Sequence, residues 1–127
     1  MRALLDTSFF VASESGRPRR LVDGIEETEI SVVTVAELTL GVLMASEADL
    51  PRRLATLTAV ETAWDPLPVS ADVARAFAGI VADLPSRNRR VPVLDALVAA
   101  TAAVEHIPVV TQDRDYDAIS GIEVIVV

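Results

Sequence analysis

The chain has 127 residues, 51% hydrophobic and 24% charged, which suits one domain over 1–127 with one core and excludes a disordered polar chain. It contains no cysteine, which excludes a disulfide framework or a zinc–thiolate centre and points to a reducing cytoplasm. The net charge of −8 argues against a general nucleic-acid coat, and all 11 basic residues are arginine.

At the start, MRALLDTSFFVAS superficially resembles a signal peptide, but Asp6 interrupts a run that is already too short. No stretch approaches the ~18 apolar residues of a membrane span. RALL (2–5) reads as a first strand ending at Asp6, and SFFVASES as a short helix. SGRPRR (15–20) reads as a turn, and RRLVDGI as the start of a helical piece. TEISVV (28–33) is β-branched and reads as a second strand. TVAELTLGVLMASEA (34–48) has helical spacing of apolar residues. DLPRRLATLTAVETAW (49–64) opens with Asp49 and Pro51, both helix-start signals. DPLPV (65–69) suits a strand at a sheet edge because proline cannot donate to a ladder.

SADVARAFAGIVADL (70–84) reads as a helix capped by Ser70, followed by a basic loop, PSRNRRVP (85–92). VLDALVAATAAVEH (93–106) reads as a helix, IPVVT (107–111) as a strand, QDRDYDAIS as a loop or single helical turn, and GIEVIVV (121–127) as a last strand. Strand and helix alternate throughout. This is an α/β pattern: one three-layer domain, with a mostly parallel sheet of about five strands flanked by helices.

The segment 91–104 holds one charged side chain, Asp95, among apolar and small residues. A buried carboxylate without a partner is costly. Asp95 is therefore a cap, an ion-pair member, a metal ligand or a catalytic group. In an open parallel sheet, sites form beyond the carboxyl ends of the strands. Asp6 ends the first strand, and Glu37 falls in the first turn of the helix after the second. Asp95 falls in the first turn of the helix before the fourth strand, and Asp113 two residues past that strand, with Asp115 and Asp117 behind.

Each acid has a plain structural explanation. Asp6 could cap the next helix, Thr34–Glu37 matches a capping box, Asp95 favours a helix dipole, and the later aspartates suit turns. Their shared rim argues for more. Two like charges about 4 Å apart repel by about 4 kcal/mol at an effective dielectric of 20. Several together call for protonation or a divalent cation, and hard oxygen donors favour Mg2+ or Mn2+.

The blocks LLDTSFFVA, SVVTVAELTLGV, VLDALVAATA and VVTQDRDYDAI, in that order, resemble the PIN-domain ribonucleases, above all the VapC-type toxins of bacterial toxin–antitoxin pairs. The resemblance implies a PIN-like fold and a Mg2+- or Mn2+-dependent endoribonuclease. Its acidic positions are then Asp6, Glu37, Asp95 and Asp113, with Asp115 able to share the metal with Asp113. Ser8 and Thr111 match hydroxyl residues at the site rim. Tyr116 stands where phenylalanine is more frequent, and Asn88 where glycine is common. The implied chemistry is in-line attack of an activated water on an RNA phosphate, leaving a 5′-phosphate and a 3′-hydroxyl. The implied partners are RNA, an antitoxin wrapping the helices within 34–64 and blocking the site, and a second copy of the chain.

Arg87, Arg89 and Arg90 precede the Asp95 helix and are the preferred phosphate clamp. Arg17, Arg19 and Arg20 form a second cluster, and Arg52 and Arg53 a third. Trp64 and Tyr116 could stack on a base, although a tryptophan such as Trp64 is more often a core or interface residue. His106 reads as a surface residue after its helix. Receiver domains and haloacid-dehalogenase-like phosphatases gather acids similarly, but both need a site lysine. A non-catalytic protein- or RNA-binding module, with the acids as caps, is the alternative reading.

Overall fold

A computed structural model of the chain describes residues 1–14, 16 and 23–127. The cluster Arg17, Arg19 and Arg20 and most of the helical piece expected beside it lie outside the described residues. Asp23 and Gly24 form a turn.

Strand β1 (Arg2–Leu5) leads into helix α1 (Thr7–Glu14), and β2 (Glu27–Glu29) into α2 (Val32–Leu43). Helices α3 (Leu50–Ala63), α4 (Ala71–Ser86) and α5 (Val93–Glu105) follow. Then come β3 (Val109–Thr111), a 3-10 turn (Arg114–Ala118) and β4 (Val124–Val126). The four strands pair in parallel in the order β2-β1-β3-β4. This puts β1 and β3 side by side at the centre, as the crossover pattern demands.

Alternation along β1 divides the core between the sheet's two faces. Ala3 and Leu5 pack with Phe9, Phe10, Leu38, Val60 and Val110 from α1, α2, α3 and β3. Leu4 faces the other way, toward Val98, Ala99 and Ala102 of α5 with Val109, Tyr116 and Ile119. The alanines of α5 let that helix lie close against the sheet, and α4 packs outside it.

Two strand expectations are corrected. The β-branched run 28–33 is only partly strand, because Ser31 leaves the sheet as the α2 cap and its Oγ accepts from Val33 N–H at 3.0 Å. The strand expected at 65–69 is reduced to one bridge. Leu67 N–H donates to Ile30 O at 2.8 Å, and Leu67 O accepts from Val32 N–H at 3.0 Å. Pro66 and Pro68 on either side have no N–H with which to extend the ladder. The bridge also satisfies one of the unpaired donors at the start of α2. Helix α2 ends at Leu43, short of the expected 48.

Candidate active site

Every strand points the same way, so the carboxyl ends of β1 and β3 open on one rim. Asp6 is the residue after β1, and its N–H donates to Val110 O at 2.9 Å. It is 3% exposed, so its charge depends on fixed donors. Oδ2 accepts from Ser8 Oγ at 2.8 Å and Thr111 Oγ1 at 3.0 Å, and more distantly from Ser8 N–H at 3.4 Å. Oδ1 accepts from the Tyr116 hydroxyl at 2.9 Å. Ser8 and Thr111, the hydroxyl residues that the resemblance assigns to the rim, thus both donate to the Asp6 carboxylate. As a helix cap Asp6 is weak, and most of its hydrogen bonding goes to hydroxyls.

Glu37 lies in the second turn of α2, because the helix begins at Val32. The expected Thr34–Glu37 capping box does not form, since Ser31 holds the cap position. Instead Thr7 Oγ1 donates to Glu37 Oε1 at 2.8 Å, and Thr34 Oγ1 lies 3.0 Å from the same Thr7 oxygen. Burial raises the Glu37 pKa, the Thr7 hydrogen bond opposes that, and Asp6 adds to the rise. Thr7 was not among the sequence candidates. Its signal was position alone, as the hydroxyl residue directly after Asp6.

Asp95 occupies the first turn of α5 and is half-buried. Its pKa is pushed up to about 7, first by burial and then by the charges of Asp6, Asp113, Glu37 and Asp115. The helix terminus does not satisfy this carboxylate, and its neighbours are acids. Asp113 caps the 3-10 turn, its Oδ1 accepting from Asp115 N–H at 2.9 Å. One carboxylate oxygen from each of Asp95, Asp113 and Asp115 lies within 4.8 Å of the other two. The tightest cluster among the described residues is thus this triad, with Asp6 and Glu37 beside it and each tied to hydroxyl donors. Hard oxygen donors, with one carboxyl pushed toward protonation by burial and by the neighbouring acids, fit a small divalent cation such as Mg2+ or Mn2+.

One aromatic candidate is corrected. Tyr116 is fully buried with its hydroxyl on Asp6, so it offers no face to a base. Trp64, for which the core is the favoured reading, donates from Nε1 to Thr28 O at 3.1 Å, meets the Phe10 ring edge-on at 5.4 Å and packs partly buried against the core. Of the arginines, Arg87 donates to Ala118 O and staples α4 to the 3-10 turn. Arg52 pairs with Asp49 at 2.9 Å, and Arg53 donates to Gly41 O at 2.8 Å. Arg89 and Arg90 are exposed on the connection into α5. His106 is exposed after α5, as expected.

The PIN-domain family profile matches residues 3–122. A Mycobacterium tuberculosis protein named ribonuclease VapC5 is 43% identical over 93% of this chain and 87% of its own length. Ribonuclease VapC4 of the same organism is 39% identical over 99% of this chain and 97% of its own. The crystal structure of VapBC-5 from M. tuberculosis, a member of the VapBC family of toxin–antitoxin systems, is 38% identical and superposes with a TM-score of 0.85. That match covers 99% of this chain and 98% of the other. The acidic rim therefore has a family frame: the chain belongs to the PIN domains, among their VapC-type members.

Proposed function

We propose that the protein is a Mg2+- or Mn2+-dependent endoribonuclease and the toxin of a toxin–antitoxin pair. The observation that carries this reading is the triad Asp95, Asp113 and Asp115, within 4.8 Å of one another at the carboxyl rim of the sheet. The names of the relatives supply the substrate class, RNA.

Asp95, Asp113 and Asp115 would hold the cation, with Asp6 and Glu37 completing the donor set. When bound, the ion would polarise the scissile phosphate and lower the pKa of the attacking water. The chain's own residues orient the donors. Ser8 and Thr111 fix the Asp6 carboxylate, and Thr7 fixes that of Glu37. The acids also repel an RNA phosphate until their charge is offset, so the rim rejects substrate in the metal-free state. Arg89 and Arg90 lead into α5 and are the side chains best placed to hold the RNA backbone near Asp95.

The partner reading has its own support. A groove of about 380 Å³ between α1, α2 and α3 begins at Thr7 and Glu37 and runs past Val11 and Leu38. The antitoxin would lie there and close the rim, with a guanidinium as a suitable group to meet the acids. A homodimer belongs to the same reading.

Cleavage of RNA by the purified protein tests the activity. It should stop in EDTA, return with Mn2+ or Mg2+, return poorly with Ca2+, and be lost in Asp6→Asn. Equal cleavage in EDTA overturns the metal mechanism. RNA binding without cleavage in every metal favours the non-catalytic module.

A further inference from the structure

The proton directions around Asp6 are set by the backbone. Ser8 Oγ accepts from Gln112 N–H at 2.9 Å, and Thr111 Oγ1 accepts from Asp113 N–H at 2.9 Å. An amide can only donate, so both hydroxyls are left to donate in turn, and the charged Oδ2 of Asp6 is the strongest acceptor in reach. Their mutual approach of 3.1 Å follows from sharing that target. A carboxylate has about four lone-pair sites, two on each oxygen. Two hydroxyls on Oδ2 use its pair, with the Ser8 N–H more distant on the same oxygen at 3.4 Å, and Tyr116 uses one site on Oδ1. One remains.

We propose that Tyr116 is a positioning residue of the metal site: its hydroxyl occupies one side of Asp6 Oδ1 and so orients the Asp6 carboxylate, leaving the other side of that oxygen as the one that would be open to a cation. This rests on the metal reading above. Tyr116 can hold that position because it cannot move. It is fully buried among Leu4, Val98 and Val109. The 3-10 turn that carries Tyr116 also carries Asp115 and is capped by Asp113. One short element thus presents two candidate ligands and orients a third.

Tyr116→Phe removes the oxygen and keeps the ring, and Tyr116 is the only tyrosine in the chain. Mn2+ affinity of the full chain, measured by calorimetry, should fall on the order of 10-fold or more in the variant, as loss of a ligand-orienting hydrogen bond does elsewhere. The near-UV tyrosine band of the wild type should shift with Mn2+ along the calorimetric curve, because the cation withdraws charge from the phenol's acceptor. The variant should show no such shift. A variant that melts earlier in EDTA but binds Mn2+ as tightly as the wild type overturns the proposal. So does a silent tyrosine band in wild-type protein that binds Mn2+. Should the variant fail to fold, the wild-type spectrum decides by itself. A wild type that binds no Mn2+ overturns the metal reading, and this proposal with it.

Discussion

The surroundings of the Asp95 carboxyl oppose its charge, with its pKa pushed up to about 7 by burial and four neighbouring acids. The unfolded chain would hold the same carboxyl near 3.9. A raised folded pKa means the folded state binds the proton more tightly. The contribution is fully present below about pH 4 and is lost as pH rises through about 7. Glu37 shifts in the same direction. In EDTA, the unfolding midpoint should therefore fall between pH 5 and pH 8 from these groups, moderated by the partial exposure of Asp95. Asp95→Asn should be more stable than wild type in EDTA at pH 8, less pH-dependent, and less stabilised by Mg2+. RNA cleavage should drop to background. A variant less stable in EDTA, with the wild-type Mg2+ shift and residual cleavage, would make Asp95 structural.

At the scale of elements, the connection from α4 to α5 aims the site. Helix α4 ends in a reciprocal C-terminal motif: Asn88 N–H donates to Pro85 O at 3.0 Å and Arg89 N–H to Leu84 O at 3.0 Å. Asn88 takes φ +55°, the left-handed conformation that glycine adopts freely and asparagine tolerates. His106 does the same after α5, at φ +56°. Arg87, within this turn, donates to Ala118 O and ties α4 to the element bearing Asp115 and Tyr116. The arginine cluster therefore divides. Arg89→Gln with Arg90→Gln should leave the unfolding midpoint within a degree or two, weaken RNA binding and reduce its salt slope by up to about 2 units. Arg87→Gln should instead lower stability by about 1 kcal/mol through the lost hydrogen bond. Denaturant titration and filter binding across a salt series separate the two, and an unchanged slope in the double variant would move the RNA surface elsewhere.

For the whole molecule, charge and apolar surface are unevenly shared. The chain carries −8, and five of its acids crowd one rim. The C-terminal end of α2 leaves Leu43 77% and Met44 74% exposed, with Leu40, Leu50 and Leu54 also open. Apolar patches of this kind mark interaction sites. Leu43→Asp should keep the fold, because the side chain contributes little to the core. On the toxin reading proposed above, it should weaken binding of the antitoxin by more than about 1 kcal/mol, as loss of an interface anchor does. Titration of antitoxin against RNA cleavage measures this. Unchanged inhibition by the antitoxin would place its seat off the α2 end.

Periodicity and punctuation in the sequence carry the architecture. Alternating strand and helix patterns imply a parallel sheet, and Asp6, Glu37, Asp95 and Asp113 fall where such a sheet opens its site. The Ser70 cap and the α5 helix stand as read, because short-range hydrogen bonds and apolar spacing decide them locally. Local signals mislead where two compete. The Thr34–Glu37 box loses to Ser31, and the β-branched run 28–33 yields to that cap. What only the tertiary structure decided are contacts across long sequence separations. Tyr116 reaches Asp6 from 110 positions away and Thr7 reaches Glu37 from 30. No local pattern encodes these distances, because they follow from which strands lie side by side. The same holds for Arg87, whose carbonyl partner at Ala118 is 31 residues off. A side chain's type is written in the sequence, but the group that takes its hydrogen bond is set when the sheet closes and water is driven from between the layers.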